Sequence, residues 1–250
     1  MRAALVTGGA RRIGRGIVEA LAEEGYAVAI HCNGSTAEAE ELKALLASRG
    51  HVAATVRCDL ADANALRTLV PRASDAVGPL TLLVNNASVF DRDELATTDG
   101  ETWRRHFAVN LEAPVFVARD FARQIEEGRT GAVVNIIDQR VLKPNPLFFS
   151  YTLSKTALLA ATRTMAQALA PRVRVNAVGP GPTLPSRRQS ASDFARQTAA
   201  LPLGAGPQPQ DIAEAVLFLA KASSVTGQML AVDGGQHLTW QTPDVFATSE

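Results

Sequence analysis

The strongest constraint in this sequence is a rhythm. Seven short runs rich in β-branched and small apolar residues, "AALVT", "AVAIHC", "VAATVRC", "TLLVNN", "AVVNII", "VRVNAV" and "MLAVD", are separated by longer stretches whose apolar residues return every third or fourth position. Runs that are apolar on both faces suit strands of a parallel sheet covered by helices on each side. The helical stretches read as Arg12 to Glu24, Thr36 to Ser48, Ala61 to Ala76, Glu101 to Glu127, Tyr151 to Ala170 and Gln210 to Ala220. Strand and helix in alternation predict an α/β fold.

That order is the βαβ pattern of a single-domain Rossmann-type doubly wound parallel sheet of about seven strands flanked by helices. The 250 residues carry no linker, internal repeat or charge block, so 1–250 reads as one dinucleotide-binding and catalytic domain. The stretch richest in Pro, Gly and Ser, Gly179 to Ser192, follows a strand and is expected to form a substrate loop over about 179–200, with a C-terminal tail over 236–250. Lys+Arg and Asp+Glu balance at 25 each, so no net charge recruits nucleic acid or anionic lipid. Cys32 and Cys58 each end a strand-like run without metal-ligand spacing, which predicts small buried hydrophobes in a reducing compartment. The opening "AALV" is too short for a signal-peptide core or a membrane span, and a soluble cytoplasmic protein is expected.

In such sheets ligands bind beyond the carboxyl ends of the strands. After the first strand, "TGGARRIGRG" is a glycine-rich turn into a helix, whose free N–H groups and dipole suit a pyrophosphate. A cofactor with a free ribose 2′-OH would meet an acid about 20 residues on. Here the second strand ends in "HCNGSTA", without an acid, while Arg11, Arg12, Ser35 and Thr36 suit a 2′-phosphate. NADPH/NADP+ is therefore expected rather than NAD(H), although Arg11 taken alone could be a solvated surface charge. Cofactor contacts are assigned to Gly8, Arg11, Arg12, Ile13 and Gly14, then to Asn33 and Ser35. Asp59 and Leu60 follow at the end of the third strand, where Asp59 could meet an adenine amino group or cap the helix beginning near Ala61.

Tyr151 and Lys155 in "YTLSK" stand four apart on a helical stretch and share a face, so the ammonium can favour the phenolate. Thirteen positions before Tyr151, "NIIDQR" ends an apolar run with Asp138. A carboxylate about 4 Å from a phenol at an effective dielectric near 20 opposes phenolate by roughly 4 kcal/mol, about three pK units. Alcohol oxidation needs a tyrosinate base and reduction needs a protonated tyrosine, so Asp138 argues for a reductase. An ionised aspartate only accepts hydrogen bonds, so it suits a substrate rich in N–H donors better than a ketone oxygen. The alternative is that Asp138 turns outward as a cap or pairs with Arg140.

"TGGARRIG", "CDL", "NNAS", Asn110 in "FAVNLEAP", "YTLSK", "RVNAVGPG" and "VDGG" resemble the short-chain dehydrogenase/reductase family over nearly the whole chain. The resemblance implies that Tyr151 donates a proton to the reduced atom, that Lys155 binds the nicotinamide ribose and tunes Tyr151, and that Asn110 holds a water linking Lys155 to solvent. It also places Asn86 and Ala87 on the adenine-ribose side, and Pro180, Gly181 and Thr183 by the nicotinamide carboxamide. Three positions depart from the usual pattern: Arg12 replaces the middle glycine, Ser88 ends "NNAS" where the family has Gly, and Asp138 stands in place of a serine. All three resemble the pteridine reductase branch, including bacterial dihydromonapterin reductases, which "TGGARRIG" and "DGGQHL" also match. Substrate contacts on that basis are Arg12, Ser88, Phe90, Asp138 and Tyr151, with Phe90 sandwiching a pterin.

His31, His51, His106 and His237 have no metal or relay spacing and are expected to be solvated or core residues. Trp103 reads as packing. Trp240 stands where the resembling reductases carry an arginine and where the family's tail can reach a neighbouring subunit, which leaves its role open. The combined expectation is an NADPH-dependent reductase of a dihydropterin C=N bond, homotetrameric by resemblance. A carbonyl reductase for 3-oxoacyl thioesters or small ketones is the first alternative, and a non-catalytic NADP(H)-sensing protein on the same fold the second.

Overall fold

A computed structural model of the chain describes residues 2–186 and 188–240. Seven parallel strands form one sheet: β1 (Arg2–Val6), β2 (Tyr26–Cys32), β3 (Ala53–Arg57), β4 (Leu80–Asn85), β5 (Gly131–Ile136), β6 (Val173–Pro180) and β7 (Met229–Val232). Their spatial order, β3-β2-β1-β4-β5-β6-β7, reverses direction between β1 and β4, which opens a crevice at the strands' carboxyl ends. The helices are α1 (Arg12–Glu23), α2 (Thr36–Ser48), α3 (Ala63–Val77), α4 (Gly100–Phe107), α5 (Ala113–Gln124), α6 (Phe149–Leu169), α7 (Ala191–Ala199) and α8 (Pro209–Lys221).

The two-sided burial of the strands builds two cores. Ala4 and Val6 of β1 face one way, into a cluster with Ile17, Leu21, Leu42 and Val216 from α1, α2 and α8. Ala3 and Leu5 face the other way, onto Leu69, Val117 and Phe121 of α3 and α5. Alternate residues of one strand thus serve opposite faces, and continuous apolar runs result. Among the described residues no helix is long and apolar enough to cross a membrane.

Three expectations are corrected. The single helix over Glu101 to Glu127 is α4, a π-helical turn at Ala108–Glu112, and α5. Pro114 near the start of α5 has no N–H to give the carbonyl of Asn110 four residues earlier, so an α-helical ladder cannot run through this point. The expected loop over 179–200 ends in α7, whose N-cap Ser190 accepts from the N–H of Asp193. Asp59 does not cap α3: Asp62 does, accepting from the N–H groups of Asn64 and Ala65, while Asp59 accepts from that of Ala61. Of the tail, 241–250 lie outside the described residues; Trp240 is 71% exposed.

Candidate active site

One cavity of about 950 Å³ opens along the carboxyl ends of β1 to β6. The residues singled out from the sequence for cofactor or substrate line it, with the exception of Thr36, as do Asp138, Tyr151 and Lys155; Asn110 does not. The volume is at the upper end of the range for small-molecule and cofactor sites.

Its nucleotide-like end is built from the β1–α1 turn. Gly8 lies so close to the end of β4 that a Cβ on it would come within 2.9 Å of the Ala87 Cα, and a Cβ on Gly14 would come within 2.2 Å of the Gly8 carbonyl oxygen. Asn86 ties the turn down by donating to the carbonyls of Thr7 and Gly8. The first turn of α1 carries no side-chain cap and no acid, so its orphan N–H groups face the cavity beside Arg11 and Arg12. That donor set fits a pyrophosphate. Arg11 meets Glu38 at 3.3 Å with both side chains substantially exposed, a pair weak enough to yield to another anion.

Arg12 adopts a left-handed backbone with φ 55°, the conformation glycine takes without penalty. A non-glycine residue there costs about 1–2 kcal/mol. The conformation lets its guanidinium donate to the carbonyls of Leu184 and Pro185 at 3.1 and 3.0 Å, joining the first turn to the loop after β6.

His31, expected to be a solvated or core residue, is a core residue that braces the β1–α1 turn. Fully buried on β2, it accepts from the Gly8 N–H at Nδ1 (3.0 Å), while Nε2 lies 3.0 Å from the Cys58 carbonyl. Those partners require the neutral tautomer with its proton on Nε2, and burial lowers its pKa to about 4. One imidazole thereby holds the ends of β1, β2 and β3 in register. A histidine ending the strand beside a glycine turn was the available signal.

At the other end, Asp138 points into the cavity. Its Oδ2 accepts from the Tyr151 hydroxyl at 2.9 Å, and its Oδ1 accepts from the Arg140 N–H at 2.8 Å, capping the 3-10 turn Gln139–Val141. The capping role and the inward orientation, set as alternatives above, coexist. Tyr151 has its pKa raised well above the usual phenol value, first by burial and then by the charge and hydrogen bond of Asp138; Arg140 and Ser88 oppose the shift. The rise is the effect expected of Asp138, and it prevails over the phenolate-favouring effect expected of Lys155. Lys155 Nζ donates to the Ile136 carbonyl at 2.8 Å and lies 6.0 Å from the Tyr151 ring centre, and burial lowers its pKa to about 8.

Asn110 stands behind this wall. Its amide accepts from the Val89 N–H and the Ser88 hydroxyl and donates to the Val89 carbonyl and the Ser154 hydroxyl, which uses its whole hydrogen-bonding capacity. The side chain therefore fixes the strand-end loop. Phe90 stacks on Phe148 at 4.4 Å and meets Tyr151 edge-on at 4.7 Å.

A second buried network anchors α6. Asp93 accepts from the Ser150 hydroxyl and N–H and from the Thr98 hydroxyl, and these bonds outweigh the burial that opposes its ionisation, lowering its pKa. His106 accepts from the Asp91 N–H at Nε2, so Nδ1 carries its proton toward Ser150 Oγ at 2.6 Å. Burial lowers the His106 pKa, and the neutral ring completes a chain from His106 through Ser150 to Asp93 directly before Tyr151. Trp103 packs on Phe107 at 4.6 Å, and Cys32 and Cys58 are free and buried.

A doubly wound parallel sheet with a glycine turn and a Tyr-x-x-x-Lys helix facing one cavity defines a Rossmann-type oxidoreductase. Residues 8–237 match a family model described as enoyl-(acyl carrier protein) reductase. A short-chain type dehydrogenase/reductase from Picea abies is 34% identical, covering 94% of this chain and 92% of its own. The chain belongs to the short-chain dehydrogenase/reductase family. It is 32% identical to the 3-oxoacyl-[acyl-carrier-protein] reductase FabG of Staphylococcus aureus, over 95% of this chain and 98% of that one. It is 55% identical to FolM alternative dihydrofolate reductase 1 from Brucella canis, solved in complex with NADP, with a TM-score of 0.95 over 98% of this chain and 97% of that one.

Proposed function

We propose that the protein reduces a C=N bond of a dihydropterin with NADPH, both bound within the one domain. The observation that carries this reading is the 2.9 Å hydrogen bond from Tyr151 to Asp138 inside the cavity. NADPH would supply a hydride to the carbon. The uncapped start of α1, with Gly8, Ile13, Gly14 and Arg12, would hold its pyrophosphate. Arg11, Asn33 and Ser35 would hold its 2′-phosphate end; Asp59, Leu60, Asn86 and Ala87 would line the adenosine; Lys155, Pro180, Gly181 and Thr183 would flank the nicotinamide end.

Tyr151 keeps its proton and delivers it to the ring nitrogen as that atom gains electron density. Asp138 accepts N–H groups of the substrate and holds the phenol hydrogen in line. Ser88 and Arg12 contribute donors at the ring's edge, and Phe90 supplies a stacking face. The structural likeness to an alternative dihydrofolate reductase solved with NADP supports both cofactor and substrate class. The family resemblance carries with it a cytoplasmic homotetramer.

A ketone reductase is the second reading, favoured by the likeness to a 3-oxoacyl reductase. Asp138→Ser separates the two. It should lower kcat/KM for a dihydropterin by about 10²-fold or more while raising any turnover of an acetoacetyl ester. Wild-type protein that oxidises NADPH with the ester but with no dihydropterin would show the pterin reading to be wrong.

A further inference from the structure

The main cavity has a side branch of about 160 Å³ beside the Gln139–Val141 turn. Gln139, Arg140, Gln197 and Gln236 wall both spaces, and Lys143 and Asn145 close the branch. Among the described residues no carboxylate lines it. Two of its polar atoms are buried without a partner: Oε1 of Gln139, a residue only 5% exposed, and Nε of Arg140. Both atoms are closed off from the open space of the branch, so the case for a ligand rests on the charge of its walls.

The charge of Arg140 is equally unspent. Its guanidinium lies over the rings of Phe148 and Phe90 at 4.8 and 5.4 Å, and no carboxylate among the described residues forms an ion pair with it. The rings fix its plane without neutralising it. Lys143 adds a second cation, bonded to the Thr239 hydroxyl and carbonyl. Asn145 accepts from the Leu147 N–H, and Gln197 accepts from Gln189, so the carboxamide oxygens of both are engaged and their N–H groups remain as donors. Donors and positive charge therefore dominate the branch.

We propose that this branch binds the anionic end of a side arm on the substrate, a carboxylate or a phosphate, with Arg140 as its anchor. The proposal rests on the dihydropterin reading and specifies the arm that the ring carries. The acidic terminus of the arm takes Arg140 and Lys143. A volume near that of a cavity which holds one benzene, about 150 Å³, accommodates the terminus of an arm and not a second fused ring system. Arg140 is a specificity residue in this scheme; the proton chemistry stays with Asp138 and Tyr151.

Steady-state NADPH oxidation with three substrates tests this: 7,8-dihydrofolate (carboxylate arm), 7,8-dihydroneopterin phosphate (phosphate arm) and 7,8-dihydrobiopterin (neutral arm). The expected result is a KM at least about tenfold lower for one or both anionic arms, and the arm that shows it names the source. Arg140→Met keeps a side chain of similar length on Phe90 and Phe148 while removing the charge. It should raise that KM by about 10–100-fold relative to the KM of the neutral-arm substrate, while any change in Tyr151 that follows from losing the Arg140 charge falls on all three substrates alike. Added salt should raise the anionic-arm KM alone. Equal KM values for all three arms, or an Arg140→Met loss shared equally by the neutral one, would overturn the branch while dihydropterin reduction stands. No turnover of any of the three would overturn both.

Discussion

Two side chains decide the character of the site, and each acts through a partner distant in sequence. Asp138 stands against the Tyr151 phenol and, with burial, holds it protonated, so the group is an acid ready to donate rather than a base. His31 does for the glycine turn what no glycine can do, because its ring accepts from Gly8 on one side and reaches Cys58 on the other. Its folded pKa of about 4 lies below the ordinary histidine value of 6.5, so the unfolded chain binds the proton first as pH falls. Stability tied to His31 is complete above about pH 6.5 and declines toward pH 4, by about 3 kcal/mol in all. His31→Gln, which can make both hydrogen bonds without titrating, should flatten the melting temperature between those pH values relative to wild type. Parallel curves for the two proteins would remove His31 from the account. The histidine was visible in the sequence, but its spacing resembles that of any core residue. Only the juxtaposition of residues 8, 31 and 58 shows its use.

Among the elements, α6 carries the reactive pair, and its entry is held by Asp93, Ser150 and His106 rather than by a conventional cap. Ser150→Ala removes the hydroxyl between an acid and an imidazole and leaves both short of a partner. The expected loss is about 2–3 kcal/mol, a melting temperature lower by roughly 5–10 °C. An unchanged melting temperature would mean that Asp93 and His106 are satisfied elsewhere. The other elements divide by how local their encoding is. α2 is found at its sequence bounds because its periodicity and its turn signals are contained in the stretch itself. The break at Ala108–Glu112 was missed because the apolar spacing runs through it, although Pro114 marked the place. α7 was missed because none of its residues is buried, so no apolar stripe announces it; Ser190 and Asp193 were its only signature.

At the scale of the molecule, the sheet's reversal between β1 and β4 places the α1 end and the α6 end on one cavity. Cofactor binding should therefore stabilise the whole fold. NADPH at about 100 times its Kd should contribute about 2.7 kcal/mol, a melting temperature higher by roughly 5–10 °C. NADH at the same concentration should give a smaller shift, and Arg11→Ala should narrow the difference. Equal shifts with the two cofactors in wild-type protein would remove the 2′-phosphate assignment.

The sequence by itself determined the seven strands, the faces they bury and the strand ends where chemistry collects, because hydrophobic periodicity and glycine turns act within a few residues. It also supplied the identity of the acid beside the tyrosine. Tertiary structure alone decided that Asp138 faces inward, that Arg12 takes a left-handed backbone to reach the loop after β6, and that the amide of Asn110 is fully occupied. It also decided that burial adds to the rise in Tyr151 proton affinity that Asp138 alone already predicts. The reason is common to all four. Orientation, burial and electrostatic sign depend on which distant segments are brought within a few ångströms, and one-dimensional spacing does not encode that distance.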